Sequence, residues 1–386
     1  MTKIEGLVEP GYGRVREAFA ANFDHHGDIG AGVCVHVDGR KVVDLVGGLA
    51  DVKSGQAYNS DSLQLVFSTT KAPTAVCAHL LAERGDLDFD APVTQYWPEF
   101  AAAGKGHIPV RWLLSHQAGL ASIDVKLSLA QALAWDPVIE ALAAQEPLWE
   151  PGQAHGYHAL TFGWLVGELI RRISGRSVGR FFAEEVAGPL GLEFWIGLPE
   201  QYEHRVAPLI SSPMPDDPAL RELAVALMGP DTLLGRALTL DGAFDSLGLT
   251  SPFNSRAVHA AEIPAANGIT NAASLSRFYA GLIGEVDGVR VLGPEALKVA
   301  TATQCEGQDK VLMVQTRFGL GFMLHSEFTP LLGPGSFGHS GAGGSLGFAD
   351  PDTGVSFGYV MNQMQANLSA DPRTLGLIEA LRSSLD

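Results

Sequence analysis

The chain is poor in cysteine, in positive charge and in long apolar runs. Three of its 386 residues are cysteine. So sparse and odd a set cannot build the disulfide framework of a small secreted domain, and it fits reduced thiols in a cytoplasmic protein. Cys34 lies in an alternating apolar stretch and Cys77 in an apolar helical one, so both read as core. Lys and Arg number 26 against 43 Asp and Glu, a formal net charge of −17. That balance argues against nucleic acid and anionic membrane surfaces as partners, because both select basic faces. No apolar run approaches the roughly 18 residues of a membrane span. The opening MTKIEGLVEPGYGRV has no basic segment followed by an apolar one, so no secretory signal is expected there. The 12 histidines contain no H-E-x-x-H. His155 and His158 flank Tyr157 without metal-ligand spacing, and neither a metal nor a cofactor is implied.

What is present is an ordinary globular composition, 46% apolar and 18% charged, enough chain for one large or two modest domains. Val15, Phe19 and Phe23 recur every four residues, which predicts a helix over 11–26. AGVCVHVDGRKVVDLVGG predicts two strands around a hairpin turn at Asp38-Gly39. A short apolar run, 63–67, leads to Ser68, and KAPTAVCAHLLAERG then predicts a helix that Gly85 stops. From about 86 to 260 helical segments dominate. After about 265 strand signals return at 317–326, 336–341, 344–351 and 355–363, with Pro351–Gly354 as a turn, and the chain closes on a helix near 375–385.

Strands at both ends around a helical middle predict an α+β, mixed α/β fold. An antiparallel sheet built from both chain termini is flanked by helices and carries an inserted, mainly helical domain. The expected division is 1–85 plus 260–386 for the sheet domain and 86–259 for the helical one, with the active site between them.

Two serines compete as nucleophile. Gly343-Gly344-Ser345-Leu346-Gly347 spells G-x-S-x-G, which in α/β-hydrolases marks a strand-to-helix turn. Here a strand, a Pro-Asp-x-Gly turn and another strand follow Ser345, and regular βαβ alternation is absent. In a chain with 45 glycines such a pattern arises readily. Ser68-Thr69-Thr70-Lys71 is an S-x-x-K. Residues three apart share a helix face, so the Lys71 amine can meet the Ser68 hydroxyl. The flanks are apolar, and a buried lysine can lose its proton and act as a base. At a helix start the backbone N–H of Ser68 can stabilise an oxyanion.

Two further residues become informative only in combination. Tyr157, in PGQAHGYHALTFGWLVGELI, alone reads as a core tyrosine, and His339, in SFGHSG, alone reads as a strand residue. With Ser68-Thr69-Thr70-Lys71 they fall in the order and spacing of a known set. Over roughly 25–365 the chain resembles the serine β-lactamase and penicillin-binding-protein superfamily, closest in pattern to class C β-lactamases and family VIII carboxylesterases. Tyr157-His158-Ala159 stands where that family has Tyr-x-Asn, and His339-Ser340-Gly341 where it has Lys-Thr-Gly. VRWLLSHQAGL (110–120) and Asn267-Gly268 also look familial.

The resemblance implies Ser68, Lys71 and Tyr157 as catalytic residues, Tyr157 being a partial phenolate held by Lys71. It implies an oxyanion hole from the backbone N–H groups of Ser68 and Ala342. His339, Ser340, Gly341 and Asn267 are the implied substrate contacts, and Gly341, Gly343 and Gly344 would let the strand edge approach the substrate. Trp135, Trp149, Trp195 and Phe253 are candidates for an apolar pocket. The departures bear on substrate. The Ala159 side chain cannot hydrogen-bond an acylamide arm, and His339 is largely neutral near pH 7 where the family lysine binds a carboxylate. The expected activity is hydrolysis of a small-molecule carboxylic ester through an acyl-enzyme on Ser68. A β-lactamase, a D-amino-acid peptidase, an acyltransferase and a catalytically silent protein of the same fold are the alternatives, and homo-oligomerisation is left open.

Overall fold

The computed structural model describes residues 2–212, 217–244 and 250–385. Its strands, in chain order, are β1 (Ile4–Val8), β2 (Gly30–Val37), β3 (Arg40–Asp51), β4 (Gln56–Ala57), β5 (Gln64–Leu65), β6 (Phe194–Trp195), β7 (Ile269–Thr270), β8 (Cys305–Gln308), β9 (Gln315–Phe318), β10 (Met323–Leu324), β11 (Phe337–Ser340), β12 (Leu346–Asp350) and β13 (Val355–Met361). The main sheet runs β1-β3-β2-β13-β12-β11-β10-β9-β8, with β4 on the flank of β3. The two ends of the chain meet at its centre, where β2 and β13 pair antiparallel from Ala31 opposite Met361 to Val37 opposite Val355. The expected mixed architecture is therefore the observed one.

The hairpin between β2 and β3 turns on Asp38 and Gly39, both at positive φ (48° and 75°), the geometry that a two-residue turn between right-twisted strands demands. β13 is buried along its whole length, and β2 along nearly all of it, because helices cover both faces of the sheet. On one face the Gly13–His25 and Pro372–Leu385 helices pack together. They contribute Phe19, Leu377 and Leu381 to a cluster with Val33, Val35 and Phe357 from the strands. On the other face the Ala272–Ile283 helix lies across β2, β12 and β13. That helix also belongs to the larger core, which continues through the Lys71–Glu83 and Thr161–Ser174 helices.

β1, β4 and β8 lie outside the strands expected from the sequence, and two further features depart from that reading. The strand expected over 317–326 is broken into β9 and β10, which pair antiparallel at Phe318 and Met323. The break is at Gly321 (φ +86°), where a Cβ would come within 2.2 Å of Ala75 Cβ on the Lys71–Glu83 helix. β5, β7 and β6 form a separate small sheet that sequence periodicity missed, since strands of two residues carry no readable period.

The Ala272–Ile283 helix sits so close to the sheet that a Cβ on Gly358 would meet Ala272 O at 2.5 Å and Ser276 N at 2.7 Å. Backbone cannot yield there as a flexible side chain could. Gly358→Ala is expected to cost about 1–3 kcal/mol of stability by overpacking, read as a lower urea midpoint with an unchanged m-value.

Candidate active site

Ser68 does not open the α-helix. It lies in a 3₁₀ turn, Phe67–Thr70, which runs directly into the Lys71–Glu83 helix. The turn is forced at its first residue: Phe67 has φ +44°, a conformation a bulky side chain adopts only when its surroundings over-determine it. The surroundings are visible. The Phe67 ring packs edge-on against Phe253, with centroids 4.9 Å apart. Phe67 O accepts from Thr70 Oγ1 at 2.5 Å, and the same hydroxyl accepts from Gly268 N at 2.8 Å. Ser68 is left half-buried among buried neighbours.

Lys71 is fully buried. Its Nζ lies 3.0 Å from Ser68 Oγ, 2.7 Å from Ala159 O and 3.1 Å from Ala265 O. None of these partners is a carboxylate, and burial holds the ammonium well below its usual range. A neutral amine has two N–H donors and one lone pair. The two carbonyls take the donors, which leaves the lone pair for the Ser68 hydroxyl. Ala159, where the family pattern has asparagine, thus contributes its backbone oxygen.

The Tyr157 ring lies under Lys71, with Nζ 4.7 Å from its centroid, and the nearby Ser68 side chain offsets part of the effect of burial on its phenol. Burial pushes the phenol up. A phenolate held by Lys71 was expected; burial instead favours the uncharged form of both groups, lowering the amine and raising the phenol. Tyr157 is fixed on all sides. Its backbone N–H donates to Asp309 Oδ1 at 3.1 Å, and the same oxygen accepts from Val311 N and Leu312 N, each at 2.8 Å. Phe318 stacks on the ring at 6.1 Å, and His116 and His339 lie at 5.0 and 6.1 Å. The histidines are themselves engaged. His158 Nδ1–H donates to Gly156 O at 2.7 Å while its Nε2 accepts from Leu120 N at 3.0 Å, and His116 Nδ1 accepts from His158 N at 3.1 Å. Asp309, Ala265 and His116 were missed in the sequence. Ala265 acts through a carbonyl, which no side-chain pattern reveals.

His339 is buried and its pKa is lowered to about 3, chiefly by burial and then by Lys71. Nδ1–H donates to Ser340 O at 2.7 Å, which leaves Nε2 as a buried acceptor with no partner in the protein. The Ser340 hydroxyl lies 3.1 Å from that of Ser369. The segment after β11 is seated on the Ser68 turn: Thr69 Oγ1 donates to His339 O at 3.3 Å, and Ser345 Oγ donates to Val66 O at 2.9 Å. Ser345 is therefore beside the site but turned away into protein, and β12 follows it, then the Pro351–Gly354 turn and β13.

Three expectations are corrected. Asn267 is fully buried and spends its amide on its own loop: Oδ1 accepts from Ile263 N, and Nδ2 donates to Val258 O and Ala261 O. It braces the loop that carries Ala265 O and is not a substrate contact. The glycines of the 341–344 turn make room for protein. A Cβ on Gly341 would meet Ser345 Oγ at 2.1 Å and Val66 O at 2.2 Å, and one on Gly344 would meet Arg373 Nη2 at 2.2 Å. Of the four pocket aromatics, Trp149 packs in the cluster around Tyr157 and Phe253 backs Phe67. Trp135 instead donates to Glu168 on the Thr161–Ser174 helix, and Trp195 packs at a tilt against Tyr202.

This fold, with a serine, a buried lysine and a tyrosine brought together, defines a class: enzymes built on the β-lactamase and penicillin-binding-protein fold. The chain belongs to the β-lactamase family, whose sequence model matches residues 16–381. It is 37% identical to the esterase/β-lactamase LipL of Mycobacterium tuberculosis (strain ATCC 25618 / H37Rv) over 381 residues, 95% of this chain and 84% of that protein. The crystal structure of a family VIII carboxylesterase superposes with a TM-score of 0.88 at 39% identity, covering 99% of this chain and 100% of that one. A penicillin-binding-protein homologue from Caulobacter crescentus gives 0.87 at 38% identity, covering 99% and 100%.

The buried histidines give a pH signature. Burial lowers His79 and His158 to about 4, His339 to about 3 and His116 well below its usual value. The unfolded chain binds those protons near pH 6.5. Below 6.5 and above the folded values the unfolded state therefore holds more protons, so stability falls as pH falls. Urea unfolding at pH 7.5, 6.5 and 5.5 should show a loss that begins at the second step. A flat profile would mean that these imidazoles are charged in the fold.

Proposed function

We propose that the protein is a serine carboxylesterase that works through an acyl-enzyme on Ser68. The observation that carries the reading is the Lys71 amine, buried without a carboxylate and 3.0 Å from the Ser68 hydroxyl. The esterase named in the Mycobacterium tuberculosis relative and the family VIII carboxylesterase structure support it. In this reading Lys71 takes the Ser68 proton as Oγ bonds the ester carbonyl carbon. The oxyanion rests on the N–H groups of Ser68 and Ala342. When it collapses, the bond to the alcohol oxygen breaks. Tyr157 hands that oxygen a proton and regains one from the Lys71 ammonium. Water then attacks the acyl carbon as Lys71, neutral again, takes its proton; the bond to Ser68 Oγ breaks, the acid leaves, and Oγ regains a proton from the Lys71 ammonium.

The site's electrostatics favour esters over β-lactams and peptides. Neutral His339 offers no cation to a substrate carboxylate, and Ala159 offers no side-chain amide to an acylamide arm. Half-buried Trp149, Leu148, Leu233 and Phe328 pack around the Tyr157 cluster, which supports an apolar acyl or alcohol portion. The site draws Ser68, Lys71 and His339 from the segments assigned to a sheet domain (1–85 plus 260–386), and Tyr157 and Ala159 from the segment assigned to a helical one (86–259). This supports a cleft between two such units. Among the described residues no helix is long and apolar enough to cross a membrane, and three unpaired cysteines support a cytoplasmic address.

A p-nitrophenyl ester series tests the reading. Ser68→Ala should abolish turnover, and mass mapping after treatment with a fluorophosphonate, whose fluoride the serine displaces, should place the phosphonyl label on Ser68. Lys71→Met should lower kcat/KM by roughly 10²–10⁴-fold, the usual worth of a general base. Because the active amine is neutral, wild-type kcat/KM should fall as pH drops through the lowered Lys71 pKa and stay level through neutral into alkaline pH. Turnover that survives Ser68→Ala would sink the proposal. Nitrocefin hydrolysis faster than that of any ester would instead make it a β-lactamase.

A further inference from the structure

We propose that Ser345 and Arg373 are positioning residues. Together they hold the 341–344 turn, and with it the Ala342 N–H, at a fixed distance from the Ser68 turn. The inference rests on the reading of Ser68 and Ala342 as the oxyanion donors. Neither residue touches substrate, and neither has a part in the proton transfers.

The turn is gripped from two sides. On the side of the nucleophile, Ser345 Oγ donates to Val66 O at 2.9 Å and lies 3.3 Å from Thr69 Oγ1. Val66 and Thr69 bracket Ser68 in the chain, so the bond ties the two halves of the oxyanion hole together. On the opposite side stands the guanidinium of Arg373, fully buried at the start of the Pro372–Leu385 helix. Nη2 donates to Gly343 O at 2.5 Å and Nη1 to Gln363 O at 2.8 Å. Two carboxylates orient the fork. Nε and Nη2 bond Asp371 at 2.9 and 2.7 Å, and Nη1 bonds Asp28 Oδ1 at 2.9 Å. Asp28 Oδ2 is in turn held by the Tyr359 hydroxyl at 2.6 Å. A planar guanidinium so loaded has fixed bond directions, so Gly343 O has one place to sit.

The turn's own bonds transmit this to Ala342. Gly341 N donates to Ser345 O at 2.7 Å, Gly343 N to Asn367 O at 3.1 Å and Gly344 N to Gly341 O at 3.1 Å. The N–H groups on both sides of Ala342 are thereby committed to protein, and Ala342 N–H is aimed by its neighbours. Burying one cation with two carboxylates is an expensive way to add stability, since apolar residues of similar volume usually serve as well. What a hydrophobic substitute could not do is hold the Gly343 carbonyl of the turn and the Gln363 carbonyl beyond β13 in one fixed geometry.

Three variants of the full chain test this: Ser345→Ala, Arg373→Lys and Arg373→Gln. Each is assayed on a p-nitrophenyl ester and on its thionoester, in which sulfur replaces the carbonyl oxygen. A donor displaced by about 1 Å costs roughly 10–100-fold in rate. Ser345→Ala should lose kcat on that scale with KM within about twofold. The preference for the oxygen ester should shrink, because sulfur depends less on a well-placed hole. Arg373→Lys should retain more kcat than Arg373→Gln. Melting curves show which variants are folded. Should Arg373→Gln unfold, Ser345→Ala, which removes one hydroxyl, still decides. A folded Ser345→Ala with wild-type kcat and wild-type oxygen-to-sulfur preference overturns the inference, as does an effect confined to KM. Turnover by Ser68→Ala would overturn the underlying reading instead.

Discussion

A single buried amine sets the terms for the site. Lys71 sits at the junction of the Ser68 turn, the Tyr157 segment and the loop before β7, and it meets two carbonyls and a hydroxyl but no carboxylate. An unpaired ammonium there would cost several kcal/mol of desolvation, so burial favours the neutral amine. In the proposed mechanism that neutrality is what lets it serve as the base. The same low-polarity surroundings keep Tyr157 protonated and leave His339, His158 and His116 uncharged. Burial thus favours the uncharged form of each of these groups. A substrate that brings its own carboxylate finds nothing to pair with it, whereas a neutral ester has no such need.

The price of this arrangement is visible in the backbone. Phe67 is held at positive φ, a strained state for a bulky residue, and the hydrogen bonds of Thr70 together with the Phe253 ring keep it there. The strain turns the chain from β5 into the helix within a few residues, which lifts Ser68 out while Lys71 goes under. A regular helix beginning further upstream would bury the serine with its neighbours. The 3₁₀ turn is therefore part of how a residue three positions from a buried lysine remains half-exposed.

How much of this could be read from the sequence depended on how local each relation is. The Ser68–Lys71 pair was legible because spacing on one helical face is a property of a few residues. The sheet built from both ends was legible because strand and helix signals were segregated along the chain. Tyr157 and His339 were uninformative singly and became informative through their order relative to Ser68. The illegible parts are backbone and distant. Ala159 O and Ala265 O reach Lys71 from 88 and 194 residues away, and a carbonyl has no sequence signature. Asn267 misled for a related reason. Its loop does border Lys71, but the contribution comes from the Ala265 backbone, with the asparagine side chain bracing the loop.

The G-x-S-x-G stretch shows how one pattern can arise from two physical causes. In a nucleophile elbow small residues surround a serine because a sharp strand-to-helix turn must expose it. Here the same letters follow from the opposite need. The 341–345 turn is wedged between the Ser68 turn and the Arg373 guanidinium, and a Cβ at Gly341 or Gly344 would collide with Val66 O or Arg373 Nη2. Gly344, at φ +127°, also adopts a backbone conformation that L side chains rarely reach. Ser345 is buried, with its hydroxyl spent on Val66 O. A nucleophile must keep its oxygen free to attack, and a clamp must commit it. The hydrogen bond of Ser345, rather than the glycines around it, therefore separates the two roles, and it places this serine in support of Ser68.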